Sequence, residues 1–169
     1  QFCVEHFDAD RNGMITDSEV SSVDSLSVPS MEIVSLKGIE AFASLQKLYC
    51  YDNKIEALDL NANGELTVLG CHYNDLEELS LSANTKLTSL NCNHNRISKL
   101  DLSALTELRE LHVQYNELGE LDLSGNPRLG ILQCMENWLT ELDITKCPDL
   151  TMLWADPMPT LETLYWTQA

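Results

Sequence analysis

Apolar residues return along this chain at a fixed interval. Leu45, Leu66, Leu87, Leu108, Leu129 and Leu150 stand 21 residues apart. Aligned on that register, the chain from Leu45 to Asp149 divides into five uninterrupted units with the consensus L-x-x-L-x-C-x-x-N-x-[IL]-x-x-L-x-[LI]. Self-similarity at such a period means stacked units, none of which can bury its own apolar positions alone. Each unit predicts a short strand around its fourth to sixth residues, with positions 1, 4 and 6 turned inward and positions 3, 5 and 7 outward. A looser unit, one residue longer, runs from Val23 to Ser44. Beyond Leu150 the pattern loosens again: Met158 takes the asparagine position between Pro157 and Pro159, and a last L-x-x-L appears at Leu161 and Leu164. Terminal units of a stack are expected to be atypical.

Stacking in register turns each repeat position into a ladder. Leu48, Leu69, Leu90, Leu111, Leu132 and Leu153 form one. Asn53, Asn74, Asn95, Asn116 and Asn137 form another, where the chain leaves the strand; a buried amide there offers donors and an acceptor to turn backbone that has lost the sheet. Cys50, Cys71, Cys92 and Cys134 occupy position 6, where Val113 and Ala155 stand in other units. Interchange with Val and Ala reads as small and buried. Side chains in register on parallel strands are poorly placed for a disulfide, and a row cannot converge on a tetrahedral zinc. Free core thiols are expected, with Cys3 and Cys147 left unpaired.

The consensus resembles the leucine-rich repeat. The opening unit, with its "GIEAF" segment, is similar to the first repeat of internalin-type bacterial proteins, and cysteine at the sixth position of 21-residue units resembles Bacteroidetes-type surface proteins. What the resemblance implies is an α/β-type repeat solenoid, a right-handed superhelix of mostly strands and short turns with a curved parallel sheet. It would comprise a small cap over residues 1–22 and about seven units over 23–169 (23–44, 45–65, 66–86, 87–107, 108–128, 129–149 and 150–169) as one structural domain. The same resemblance implies an exported bacterial recognition or adhesion module, extracellular or on the cell surface; a monomer is expected. The start inside a helix-like segment is expected to reflect a missing leader or upstream segment.

The segment "HFDADRNGMITDSEV" matches an EF-hand calcium loop at its diagnostic places. Asp8, Asp10 and Asn12 fill positions 1, 3 and 5, Gly13 position 6, Thr16 position 9 and Glu19 position 12, with the carbonyl of Met14 at position 7. Ca2+ as a structural staple is expected, against the alternative of an empty loop kept for its shape, which internalin-type caps resemble. With no second loop to pair with, Ile15 is expected to pack beside Leu26 and Val28. Phe2, Phe7 and Val20 would then cover the apolar end of the stack, which a solenoid needs.

Charge narrows the partners. Lys+Arg is 10 against Asp+Glu 27, a net −17, so a phosphate backbone would be repelled and nucleic acid is not an expected partner. No apolar run is long enough to insert in a membrane. Much of the acid falls at repeat positions 12, 13 and 15, including Asp59, Asp101, Asp122 and Asp143, and reads as a solvated outer face, the alternative being a binding surface for a basic partner or for loosely held cations. The outward strand positions differ: aromatics, amides and histidines dominate, the types enriched at recognition surfaces. Tyr49, Tyr51, His72, Tyr73, His112, Tyr115 and Trp154 are the candidate ligand-binding residues on a concave face, for a protein or a glycan. The bland alternative is that these rings pack into cross-strand ladders. His72, His94 and His112 come from different strand positions and need not converge on a metal. No catalytic motif is present, so the expected function is non-catalytic binding. A calcium-responsive regulator and a structural spacer of a larger surface protein are the alternatives.

Overall fold

Three residues of each unit are enough to make its strand. The computed structural model describes residues 6–7 and 9–166. In it the V-x-x-L segment of the first unit gives β1 (Ser25–Ser27), and the L-x-x-L segments give β2 (Lys47–Tyr49), β3 (Val68–Gly70), β4 (Ser89–Asn91), β5 (Glu110–His112) and β6 (Ile131–Gln133). After β7 (Glu141–Asp143) the series continues with β8 (Met152–Trp154), and β9 (Thr163–Tyr165) follows. The seven-stranded sheet runs β1-β2-β3-β4-β5-β6-β8, each unit beside the next. All pairings are parallel and in register, so Leu26, Leu48, Leu69, Leu90, Leu111, Leu132 and Leu153 face one another in sequence. The structure is thus a solenoid of about seven turns with little helix.

Inside it, the predicted ladders are in place. Leu48, Leu69, Leu90, Leu111 and Leu132 are buried, as are Cys50, Cys71, Cys92, Val113 and Cys134 at the sixth position. The five described cysteines are free. The asparagines close the turn in a repeated pattern: Asn95 Nδ2 donates to the carbonyls of Cys71, Cys92 and Asn93, while its Oδ1 accepts from the Leu76 amide at 3.0 Å. One side chain thereby satisfies backbone groups in two units, which is why the position admits little else.

A second asparagine ladder escaped the sequence reading. Asn63, Asn84 and Asn126, at position 19, are fully buried. Asn84 Nδ2 donates to the carbonyls of Leu60 and Asn63, and Asn126 Nδ2 to those of Leu102 and Leu105. Cys147 stands at the same position one unit later, where its thiol reaches the Leu123 carbonyl at 3.9 Å. Its place is therefore a turn position of the core.

The ends depart from the interior. At the start, α1 (Asp17–Val20) carries a capping box between Thr16 and Glu19, Val20 is buried, and Phe7 meets Phe42 edge-on at 5.7 Å. Ile15 lines one apolar groove with Leu26 and Val28, as its place in the loop suggests. Phe2 and Cys3 lie outside the described residues. A 3-10 turn at Ile39–Ala41 corresponds to the "GIEAF" segment. At the far end, Leu164 pairs with Leu142 through β9 and β7. The last L-x-x-L is thus the back of the seventh turn and does not open another.

Candidate binding face on the strand side

Directly after each strand the backbone turns through a left-handed residue. Asp52, Tyr73, His94, Tyr115 and Glu136, all at position 8, have φ between 49° and 57°. Such a conformation is unfavourable for large side chains, and it is held here by the ladder. The Tyr73 amide donates to the Asn93 carbonyl and the His94 amide to that of Gln114, both at 3.0 Å. Bulky residues in this conformation stack along the solenoid. The His94 ring lies 4.1 Å from Tyr73 and 4.2 Å from Tyr115, tilted by 12° and 14°.

A second stack stands one residue earlier. Tyr51 and His72, both at position 7, are 4.5 Å apart and 12° from parallel. His72 meets Tyr73 edge-on at 5.8 Å, joining the two stacks. Tyr49, at position 5, reaches over Gly70: a Cβ added to Gly70 would come within 3.2 Å of the Tyr49 ring. An aromatic covering a strand glycine in this way restores packing that the glycine lacks. His112 and Trp154 also stand at position 5 but join neither stack; Trp154 is 48% exposed. Of the predicted ligand-binding residues, the structure therefore brings together Tyr51, His72, Tyr73 and Tyr115, with Tyr49 beside Gly70.

These rings show the cross-strand packing of the bland alternative. They pack into ladders, yet Tyr73 and Tyr115 remain 51% and 43% exposed. His94, the centre of the longer stack, was not among the predicted binding residues. Only its spacing of 21 from Tyr73 and Tyr115 could have marked it. Asn93 and Gln114 were missed as well. Together with His72 they fill position 7 of three successive units, and each has a buried side-chain atom without a hydrogen-bond partner: His72 Nδ1, Asn93 Oδ1 and Gln114 Oε1. Burial holds the His72 imidazole below the usual histidine range, helped by the positive charges of His112 and His94; burial also lowers His94.

The opposite side of the solenoid is acidic but locally engaged. Asp59, Asp101, Asp122 and Asp143 at position 15 each accept a backbone amide two residues on, from Asn61, Ser103, Ser124 and Thr145 at 2.8–3.0 Å. Hydrogen bonds with Ser103, Ser124 and Thr145 hold Asp101, Asp122 and Asp143 below the ordinary carboxylate range. These aspartates are turn formers as well as solubilising charges.

In the candidate calcium loop, Gly13 has φ +82°, the left-handed turn that the sixth position of such a loop requires. Asp10 Oδ1 accepts the Asn12 amide at 3.1 Å, and Asn12 Oδ1 the Met14 amide at 2.8 Å. Glu19 ties the loop together: its carboxylate accepts the Ala9 and Thr16 amides and the Thr16 hydroxyl, all at 2.8 Å, and these bonds hold it below the ordinary range, those to Thr16 most strongly. Asp8 lies outside the described residues. Among the described residues, those of this loop included, no three His, Cys, Asp or Glu side chains converge as a metal site would need.

Comparison with solved structures decides the architecture. The functional domain of InlJ from Listeria monocytogenes, described as including a cysteine ladder, matches with a TM-score of 0.79 and 26% identity over 90% of this chain and 41% of its own. The fold is that of a leucine-rich repeat solenoid. The internalin InlF from the same species matches with a TM-score of 0.76 and 21% identity, covering 90% of this chain and 50% of its own. A leucine-rich repeat protein of Leptospira interrogans gives 0.77 and 24%, covering 84% and 40%. The present solenoid thus spans 40–50% of the length of these neighbours. A family model for leucine rich repeats (2 copies) matches residues 85–125. Comparison with curated protein sequences gives no match, and no catalytic family is indicated by the others. Among the described residues no helix is long and apolar enough to cross a membrane.

Proposed function

We propose that this leucine-rich repeat solenoid is a non-catalytic recognition module that binds a protein ligand on its outward strand face. Tyr49, Tyr51, His72, Tyr73, His112, Tyr115 and Trp154 are its anchors, with His94 as the centre of the platform. The observation that carries this reading is the coexistence of stacking and exposure. Rings stacked on their neighbours lose little freedom on binding, and preorganised aromatic surface is what recognition sites are built from. Stacking also favours a protein over a glycan. A sugar packs on ring faces, and in the Tyr73–His94–Tyr115 stack the inner faces are taken, so mainly ring edges and tyrosine hydroxyls are on offer. The likeness to InlJ and InlF supports an extracellular or cell-surface location.

The test is a screen of extracellular host proteins and a glycan array, comparing the wild type with a Tyr51→Ala, His72→Ala, Trp154→Ala variant. A protein hit weakened at least tenfold in the variant supports the reading. Equal binding by both would defeat it.

A calcium role for the cap is favoured by the left-handed Gly13 and by oxygen donors of the right type at Asp10, Asn12, Thr16 and Glu19, with Asp8 and the Met14 carbonyl completing the set. Bound there, the ion would supply positive charge among the loop carboxylates and fix the loop against the first turn. Glu19 already fastens the loop to itself, so the ion would strengthen a closure the chain can make alone. The role is structural stapling and not a change of shape.

A further inference from the structure

Three successive units leave an unpaired polar atom at the same place on the strand face: His72 Nδ1, Asn93 Oδ1 and Gln114 Oε1. Asn93 is 8% exposed, so its carbonyl is hidden from bulk water as well as unpaired. An acceptor in that position carries its desolvation without return. Gln114 already spends its amide nitrogen on Gln133 Oε1 at 3.1 Å, which leaves the oxygen as the free end. A neutral imidazole with its hydrogen on Nε2 also accepts at Nδ1. The row therefore presents unpaired acceptors at Asn93 and Gln114, and a third at His72 in that tautomer.

Its surroundings carry negative charge. Asp52 and Glu136 continue the eighth-position row at the two ends of the Tyr73–His94–Tyr115 stack, both in the same left-handed conformation. Glu110 opens the strand that leads to Gln114, and Asp156 holds position 7 of the last unit. Across positions 3, 5, 7 and 8 from Lys47 to Pro157 the lone fixed cation is Lys47. The nearby Lys54 and Arg96 are already paired, with Glu32 and Asp75 respectively; Arg109 lies just before β5.

We propose that the row His72–Asn93–Gln114, with the aromatic stacks beside it, seats an extended arginine-bearing segment of a basic partner protein. The inference rests on the protein-binding reading of this face and names the partner's chemistry. Parallel units are about 4.8 Å apart, so the row from His72 to Gln114 spans about 9.6 Å; an extended chain rises about 3.4 Å per residue, so two alternate side chains of a segment lying along the solenoid, about 6.8 Å apart, both fall within the row. A guanidinium brings five donors in a planar fork and packs against aromatic rings. It can serve two acceptors of the row at once, which an ammonium does less well. The terminal amide torsions of Asn93 and Gln114 are soft, so both oxygens can swing to meet it.

The experiment is a titration of 15N-labelled protein with four seven-residue peptides alternating serine with arginine, lysine, glutamine or glutamate. The arginine peptide is expected to shift the backbone and side-chain amide signals of Asn93 and Gln114 and to bind at least fivefold tighter than the lysine peptide. Asn93→Leu with Gln114→Met should weaken it at least tenfold, and Asp101→Asn with Asp122→Asn on the opposite side should leave it unchanged. If the double variant fails to fold, His72→Phe, which keeps the stack on Tyr51, serves in its place with at least a threefold loss. Shifts confined to the acidic opposite side, or equal affinity for arginine and lysine peptides, would overturn the inference. So would strand-face shifts from the glutamine or glutamate peptide alone, although the protein-binding reading would then survive. A screen in which the Tyr51, His72, Trp154 variant binds like the wild type removes both.

Discussion

His94 lies 4.2 Å from Tyr115 and nearly parallel to it, although both residues occupy a backbone conformation that bulky side chains avoid. The stack compensates part of that strain, since aromatic pairs contribute about 0.5–1.5 kcal/mol each beyond burial. His94→Ala removes both contacts and should lower unfolding stability by about 1–3 kcal/mol, with His94→Phe restoring most of it. Urea unfolding checks the energy. Loss of the close contacts between the Tyr73 and Tyr115 rings and residue 94 in NMR checks the mechanism.

Acid should destabilise the solenoid in two stages. His72 and His94 have folded pKa values below the ordinary range, so the unfolded chain takes up protons first. Their contribution is complete above the unfolded value of about 6.5 and is lost as pH falls from there through the folded values. Glu19, Asp101, Asp122 and Asp143 are also depressed. Their contribution is present above about 4 and disappears as pH falls through their folded values. Urea midpoints should fall between pH 7.5 and 5.5 in the wild type. A His72→Gln, His94→Gln variant should show a flatter profile over that interval; an unchanged slope would count against the histidine stage.

Asn95 joins two units through four hydrogen bonds. Asn95→Ala strands buried backbone groups and should cost roughly 2–4 kcal/mol. Asn53, whose site is only half-buried beside the first unit, should lose less on the same substitution. Equal losses at both positions, measured by chemical denaturation, would argue against burial as the reason.

Burial pushes the thiols of Cys50, Cys92 and Cys134 up to about 12, and Cys71 well above its ordinary value. In a Cys3→Ser background the native protein should react negligibly with a thiol reagent at pH 7.5, and all five remaining cysteines should react after unfolding. Cys92→Val, matching Val113 in the next unit, should be nearly neutral; Cys92→Ser buries an unpaired hydroxyl and should cost about 1–3 kcal/mol.

Calcium, if it staples the cap, should raise the melting temperature by several degrees relative to chelator and leave the small-angle scattering profile unchanged. Asp10→Ala should abolish the increment. Glu19→Ala should abolish it and also lower stability in chelator, because Glu19 closes the loop through Ala9 and Thr16 by itself. Identical melting in calcium and chelator would leave the loop as a shape alone.

Most of the architecture was written in the period. A leucine every 21 residues, an asparagine five places beyond the fourth-position leucine and a small residue at the sixth determine parallel strands, inward ladders and thiols that stay free, because each position repeats the same demand on the stack. Less regular signals were harder to read. The asparagines at position 19 are interrupted by Leu105 and Cys147, so their ladder hid in the consensus, and Leu161 with Leu164 imitated a new unit while pairing with the back of the old one.

The character of the strand face was decided by tertiary structure. Sequence alone determined that Tyr73, His94 and Tyr115 share a repeat position, but nothing in those residue types announces a left-handed turn. That turn arises when the backbone leaves the sheet while its amides remain bonded to the next unit, and it sets the three rings face to face. Likewise the amides of Asn93 and Gln114 read as ordinary outward polar residues until stacking encloses them. Whether a polar atom finds a partner depends on neighbours 21 residues away, and that is information carried by the stacked units together and by no single stretch of chain.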